Sequence, residues 1–158
     1  MDFVSLGFVG ASESKWQTEQ QKLEVRKIIR NIIQEHIFSY GHFNVNIVSG
    51  KCPYGGVDVW AVEEAEKLLI PKCNIYEFEP QNYSWEDIIV KEKKVIGYKT
   101  RNKSIAYASH KLYCFAPKQT GAWCYHCKID GHVKNGGCWT LKYFRKLKPC
   151  NESELFVI

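Results

Sequence analysis

Residues 3–12, FVSLGFVGAS, decide the fold: a short apolar run, Phe3–Val9, breaks at Gly10-Ala11-Ser12, and a long helical pattern follows it. From Lys15 to His36 the residues Leu23, Val25, Ile28, Ile29, Ile32 and Ile33 recur near the 3.6-residue period, with Gln, Glu, Lys and Arg on the remaining positions. The reading is strand, glycine turn, helix, with Ser12 or Ser14 as the expected helix cap. The pattern then repeats. Asn44–Ser49 (NVNIVS) alternates polar with β-branched residues, Gly50–Gly56 is a loop, and Val57–Leu69 is helical again.

Further along, Asn74–Phe78 (NIYEF) reads as a strand, Pro80–Asp87 as a loop and the lysine-rich stretch to Lys99 as an exposed segment. Arg101–His110 is expected to be helical, Lys111–Ala116 (KLYCFA) a strand, Thr140–Leu147 a short helix and Glu154–Ile158 (ELFVI) the last strand. Five apolar strands alternating with helices predict an α/β fold, a Rossmann-like three-layer sandwich whose sheet is mostly parallel, because a parallel crossover needs a helix to cover the sheet. In such sheets ligands bind beyond the carboxyl ends of the strands. The candidate loops are therefore Gly10–Ser14, Gly50–Asp58, Pro80–Ser84 and Pro117–Cys138.

A length of 158 residues without internal repeat or linker predicts a single domain, 1–158, and 45% hydrophobic with 25% charged residues excludes a disordered chain. Charges interrupt every apolar stretch well short of the roughly 18–20 residues of a membrane helix, so no membrane partner is expected. The N-terminus has an acid at position 2 and no small-residue cleavage site, which predicts no signal peptide and a cytoplasmic location. A net charge of +5 favours a phosphate-bearing partner. Seven cysteines without an export signal favour thiols and metal ligands over disulfides.

The sharpest local signal is CYHCKIDGHVKNGGC, in which Cys124, Cys127, His132 and Cys138 follow the spacing C-x2-C-x4-H-x5-C. That is one residue longer than a zinc knuckle, and it supplies four soft or borderline ligands for a tetrahedral site in a zinc-binding loop at 121–140. His126 is an alternative ligand, and reduced structural thiols are the alternative to a metal. Four protein ligands would close the coordination sphere, so the expected zinc is structural. The deaminase signature H-x-E…P-C-x-x-C is absent.

Two loops suit an anion. GFVGAS, Gly7–Ser12, places glycine and hydroxyls where a helix begins, although an ordinary tight turn with a serine cap reads the same way. SGKCPYGGVD, Ser49–Asp58, adds Lys51 as a charge and Asp58 as either a site residue or a first-turn acid that favours the helix dipole. It lacks the lysine and hydroxyl of a Walker A loop. Cys52 could line the pocket, and no adjacent base marks it as a nucleophile. Arg101-Asn102 joins a planar fork suited to phosphate to an amide that both donates and accepts, or else is a surface arginine beside a helix cap. Trp60, Tyr83, Trp85, Trp123 and Trp139 fall near strand ends, where a ring could stack on a base.

Taken in order, GFVGAS, VSGKCPYGGVDVWAVEEA, TRNKSIAYASHKLYCFAP and GGCWT resemble the motif set of the SLOG superfamily of Rossmann-like proteins, over nearly the whole chain. That superfamily includes DNA-processing protein A and the LOG-type phosphoribohydrolases. The resemblance implies a nucleotide or nucleotide-derived ligand at the strand ends, lined by Gly10, Ser12, Gly55, Gly56, Asp58, Arg101, Asn102, Gly136, Gly137 and Thr140. It also implies, as an alternative, a nucleotide N-glycosidase. The LOG-type enzymes carry a glutamate three residues after the motif threonine, where this chain has Tyr143, and His110 stands where many members have an acid. Single-stranded nucleic-acid binding is a third expectation, from the near-knuckle and from Lys91, Lys93, Lys94, Lys99 and Lys103. The Lys15–His36 helix is long enough to build a homodimer.

Overall fold

The computed structural model describes residues 2–158. Five strands, β1 (Val4–Gly10), β2 (Val45–Gly50), β3 (Ile75–Phe78), β6 (Lys111–Ala116) and β9 (Ser153–Val157), form one sheet in the order β3-β2-β1-β6-β9. Every pairing in it is parallel. The expected α/β sandwich with a five-stranded parallel sheet is the fold found.

Helices α1 (Glu19–Tyr40) and α2 (Val57–Lys67) cover one face, and α3 (Tyr98–Ala108) and α4 (Gly136–Leu147) the other. Two cores follow from the strand period of two. In β1, Val4, Leu6 and Phe8 pack with Ile29, Ile33 and Trp60 under α1 and α2, whereas Val9 joins Ile105, Leu141 and Phe144 under α3 and α4. No helix among the described residues is long and apolar enough to cross a membrane.

Several boundaries move for local reasons. α1 starts at Glu19, because Thr18 accepts from the Gln21 N–H while the Gln21 side chain accepts from the Thr18 N–H, a capping box that displaces the expected serine cap. Residues 13–15 form a single 3-10 turn instead. The lysine-rich segment contains a small hairpin, β4 (Ile88–Val90) with β5 (Lys93–Val95), turned at Lys91 and Glu92, both with positive φ. The cysteine-rich loop is likewise an antiparallel hairpin, β7 (Lys118–Cys124) with β8 (Ile129–His132). α4 begins four residues earlier than expected, at Gly136, because Asn135 caps it by accepting from the Gly137 and Cys138 N–H groups.

The chain moves outward from β1 through β2 to β3, then returns to the other side of β1 as β6. The strand order therefore reverses between β1 and β6, and a crevice opens beyond their carboxyl ends.

A cavity at the strand switch and a four-ligand cluster

A cavity of about 340 Å³ occupies that crevice. Its floor is Val9 and Gly10 at the end of β1, and one side is the start of α4, with Asn135, Gly136, Gly137 and Thr140. Opposite lie Asp58, Arg101 and Asn102, all buried. Three rings complete the wall: Tyr54, Trp85 and Tyr98.

Local structure explains how these groups meet. Gly56, at φ +92°, turns the second loop against the first, where any Cβ would strike the Ala11–Glu13 backbone. Val57 then donates its N–H to the Ala11 carbonyl, and the Ser49 hydroxyl donates to the Asp58 carbonyl, which ties β2 to the first turn of α2. Asp87 accepts from the Gly97 N–H and the Thr100 hydroxyl at 2.8 Å each, so it serves as a remote cap of α3. The Tyr98 and Lys99 N–H groups donate to the Ser84 and Trp85 carbonyls, which holds the Trp85 loop over the cavity.

Arg101 is held in place from within. Its Nε donates to Asn102 Oδ1 at 2.8 Å and its Nη1 to the Phe78 carbonyl at 3.2 Å, with Asp58 Oδ2 3.9 Å away and the Tyr98 ring 5.2 Å below. Gly50 makes room for this pair, since a Cβ there would fall on the Arg101 guanidinium and the Asp58 carboxylate. Nothing in the sequence pattern separates Gly50 from the other loop glycines, so its role was not legible there. Burial pushes the Asp58 carboxyl up to about 7, against the opposing pull of Arg101 and with a smaller upward push from Glu77. Burial likewise raises the Cys52 thiol, so it lacks the activation expected of a thiolate nucleophile.

Of the residues expected to line a ligand site, Gly10, Ser12, Asp58, Arg101 and Asn102 reach this cavity. Gly136, Gly137 and Thr140 do so from the other side. Lys51 does not: its ammonium points outward to Glu79, 3.6 Å away, and Lys15 supplies the cation at the cavity instead. Gly55 and Gly56 shape the loop without facing the cavity. Gly137 has a packing role as well, because its Cα region lies against Gly10, where a Cβ would approach Gly10 N at 2.6 Å. Two of the lysines that suggested a nucleic-acid surface are paired, Lys94 with Asp87 and Lys99 with Glu86.

Beside the cavity, Cys124, Cys127, His132 and Cys138 place their ligand atoms within 4.8 Å of one another, and the cluster could hold a metal ion. Cys124, His132 and Cys138 are fully buried. His132 Nδ1 lies 3.0 Å from the Val133 carbonyl, which can only accept, so Nδ1 carries the proton and Nε2 offers its lone pair. That Nε2 is buried with no hydrogen-bond partner, the condition of a ligand atom aimed at a cation. The neighbouring Cys114 thiol of β6, with a backbone contribution from Asn135, brings Cys138 down to about 6 despite its burial. Cys114 is a buried core residue, and only the fold places it beside the cluster. Asn135 thus links the α4 cap, the cavity and the cluster in one short segment.

No family model matches the chain, and neither a curated protein nor a solved structure does.

Proposed function

We propose that this protein binds a nucleotide or nucleotide-derived ligand in the cavity at the carboxyl ends of β1 and β6, with a structural zinc ordering the neighbouring hairpin. The observation that supports the reading most is the juxtaposition in one crevice of the buried Asp58, Arg101 and Asn102 with the rings of Tyr54, Trp85 and Tyr98. Polar groups suited to phosphate and sugar hydroxyls thus face surfaces suited to a base. Arg101 is already oriented by its own hydrogen bonds, so a ligand phosphate would meet a fixed fork. Asn102 spends its oxygen on Arg101, which leaves its amide NH2 as the donor toward a ligand. The motif resemblance to the SLOG superfamily belongs to this reading, as does a reducing, cytoplasmic setting that keeps the thiols free.

Zinc is the metal we assign because three thiolates and an imidazole in a compact buried set suit it. With four protein ligands the ion would have no open position. It would hold β7, β8 and the start of α4 together and take no part in chemistry at the cavity.

A second reading, a nucleotide N-glycosidase, draws on one observation: the Asp58 carboxyl is held near neutrality inside the cavity and could keep or release a proton there. One experiment addresses both readings. Calorimetric titration with the four common 5′-mononucleotides should give saturable binding to at least one, weakened at least tenfold by Asn102→Ala in a variant that melts like the parent. Assay of the same mixtures for ribose 5-phosphate decides the enzymatic alternative. Absence of binding to all four would overturn the proposed function.

A further inference from the structure

A second, wider groove of about 730 Å³ runs beside the cavity and shares Lys15, Trp85, Asn135 and Gly136 with it, so the two are continuous. Its floor is one face of α4, where Trp139, Lys142, Tyr143 and Lys146 follow at helical spacing. The far wall comes from the cysteine-rich hairpin and the segment after it, with Tyr125, His126 and Lys134.

Two properties of the groove point to the same class of occupant. The first is charge: Lys15, Lys134, Lys142 and Lys146 all line it, no carboxylate does, and none of the four forms a salt bridge among the described residues. Four ammonium groups gathered without acids repel one another, and an anion lying between them would relieve that. The second is flat aromatic surface. Trp139 stacks on Tyr143 with centroids 5.3 Å apart and planes 9° from parallel, and Trp85 stands edge-on to Trp139 at 5.0 Å and 87°. Trp85 lines both spaces, so the aromatic surface runs from the first cavity into the groove.

We infer that the ligand is larger than a mononucleotide: two nucleotide units joined through phosphate, the first in the cavity beside Arg101, the linking phosphate near Lys15 and the second base on the Trp139 platform. Lys142 and Lys146, on the same face of α4 as Trp139, would then face that linking phosphate from the side of the second unit. This assignment rests on the nucleotide reading of the cavity. The same chemistry is offered by a free dinucleotide and by the end of a single strand.

The test is titration with 5′-mononucleotides, with the matching 5′-phosphorylated homodinucleotides and with a ten-nucleotide single strand of the same base. Wild-type protein should bind a dinucleotide at least tenfold more tightly than its mononucleotide, the scale expected of one added stacked base. Lys142 and Lys146 are exposed, so the double variant Lys142→Ala/Lys146→Ala keeps the fold, and it should lose that gain while keeping its mononucleotide affinity. The added affinity should also fall as salt rises. Equal affinity for mono- and dinucleotide would overturn the inference and leave the nucleotide reading standing, as would a gain unchanged in the double variant. Failure of every probe to bind would overturn both. Given the dinucleotide gain, tighter binding of the strand with displacement of the dinucleotide identifies a strand end as the source, and no further tightening identifies a free dinucleotide.

Discussion

The carboxyl of Asp58 sits at the start of α2 beside Arg101, and its burial raises its proton affinity to about 7 from an ordinary value of 3.8. A raised carboxyl stabilises the fold most fully below the unfolded value, and that contribution is lost as pH rises from about 4 through 7. Asp58→Asn, which mimics the protonated group, should therefore stabilise the protein at pH 8 by up to about 4 kcal/mol, with the gain vanishing near pH 4. Denaturant midpoints measured at both pH values check the sign. The same variant should weaken ligand binding, because the group retained at this energetic cost faces the cavity. Glu64 shows the opposite arrangement: burial alone would raise its carboxyl, yet hydrogen bonds from Lys67 and Arg30, with the charge of Arg26, hold it below the ordinary value. It bridges α1 and α2 far from the cavity. Asp58 and Arg101 could each be singled out in the sequence by residue type and loop position. Their partnership could not, because they stand 43 positions apart with β3, β4 and β5 between them, and only the pairing of β1 with both β2 and β6 closes that distance.

The cysteine-rich hairpin and α4 are the elements on which the proposed zinc acts. Cys138 lies in the first turn of α4, while Cys124 and His132 end β7 and β8. A two-stranded hairpin of this size is marginal without a clamp. Removal of the metal with a chelator under reducing conditions should therefore abolish amide-exchange protection across 118–138 and in the first turn of α4, while β1, β2 and β6 stay protected. Loss of protection across the whole sheet would instead show the cluster to be part of the global fold, and unchanged protection would show the hairpin to stand without metal. At this scale the ligand spacing was readable from sequence, since C-x2-C places two thiols on one turn. The hairpin around it was not, because Lys118–Cys124 (KQTGAWC) lacks the apolar alternation of a half-buried strand. The capping of α1 by Thr18 was missed for a similar reason: Ser12 and Ser14 offered the same chemistry nearer the first apolar run, and only the backbone path selects between them.

Over the whole molecule, the cavity depends on the close approach of α4 to β1. Gly10 and Gly137 are the contact, and Gly137→Ala should push the helix from the sheet, destabilising the protein by about 1–3 kcal/mol and widening the crevice. Thermal melts read the first effect, and mononucleotide titration, reduced in the variant, reads the second. The same approach sets Asn135 between the cap, the cavity and the cysteine cluster, so order in the hairpin and the shape of the cavity are coupled through one short segment. The strands of the main sheet, their parallel arrangement, the crevice at their carboxyl ends and the clustering of Cys124, Cys127, His132 and Cys138 were legible along the chain. These depend on local periodicity, on the handedness of crossovers and on short spacings, all of which are written along the chain. Packing alone brings Lys15 and not Lys51 to the cavity, clears space at Gly50 for Arg101, sets Cys114 beside Cys138 and gathers four lysines without carboxylate partners in one groove with Trp139. Each of those facts depends on which side chains from distant segments come to face one another, and that is fixed by packing in three dimensions.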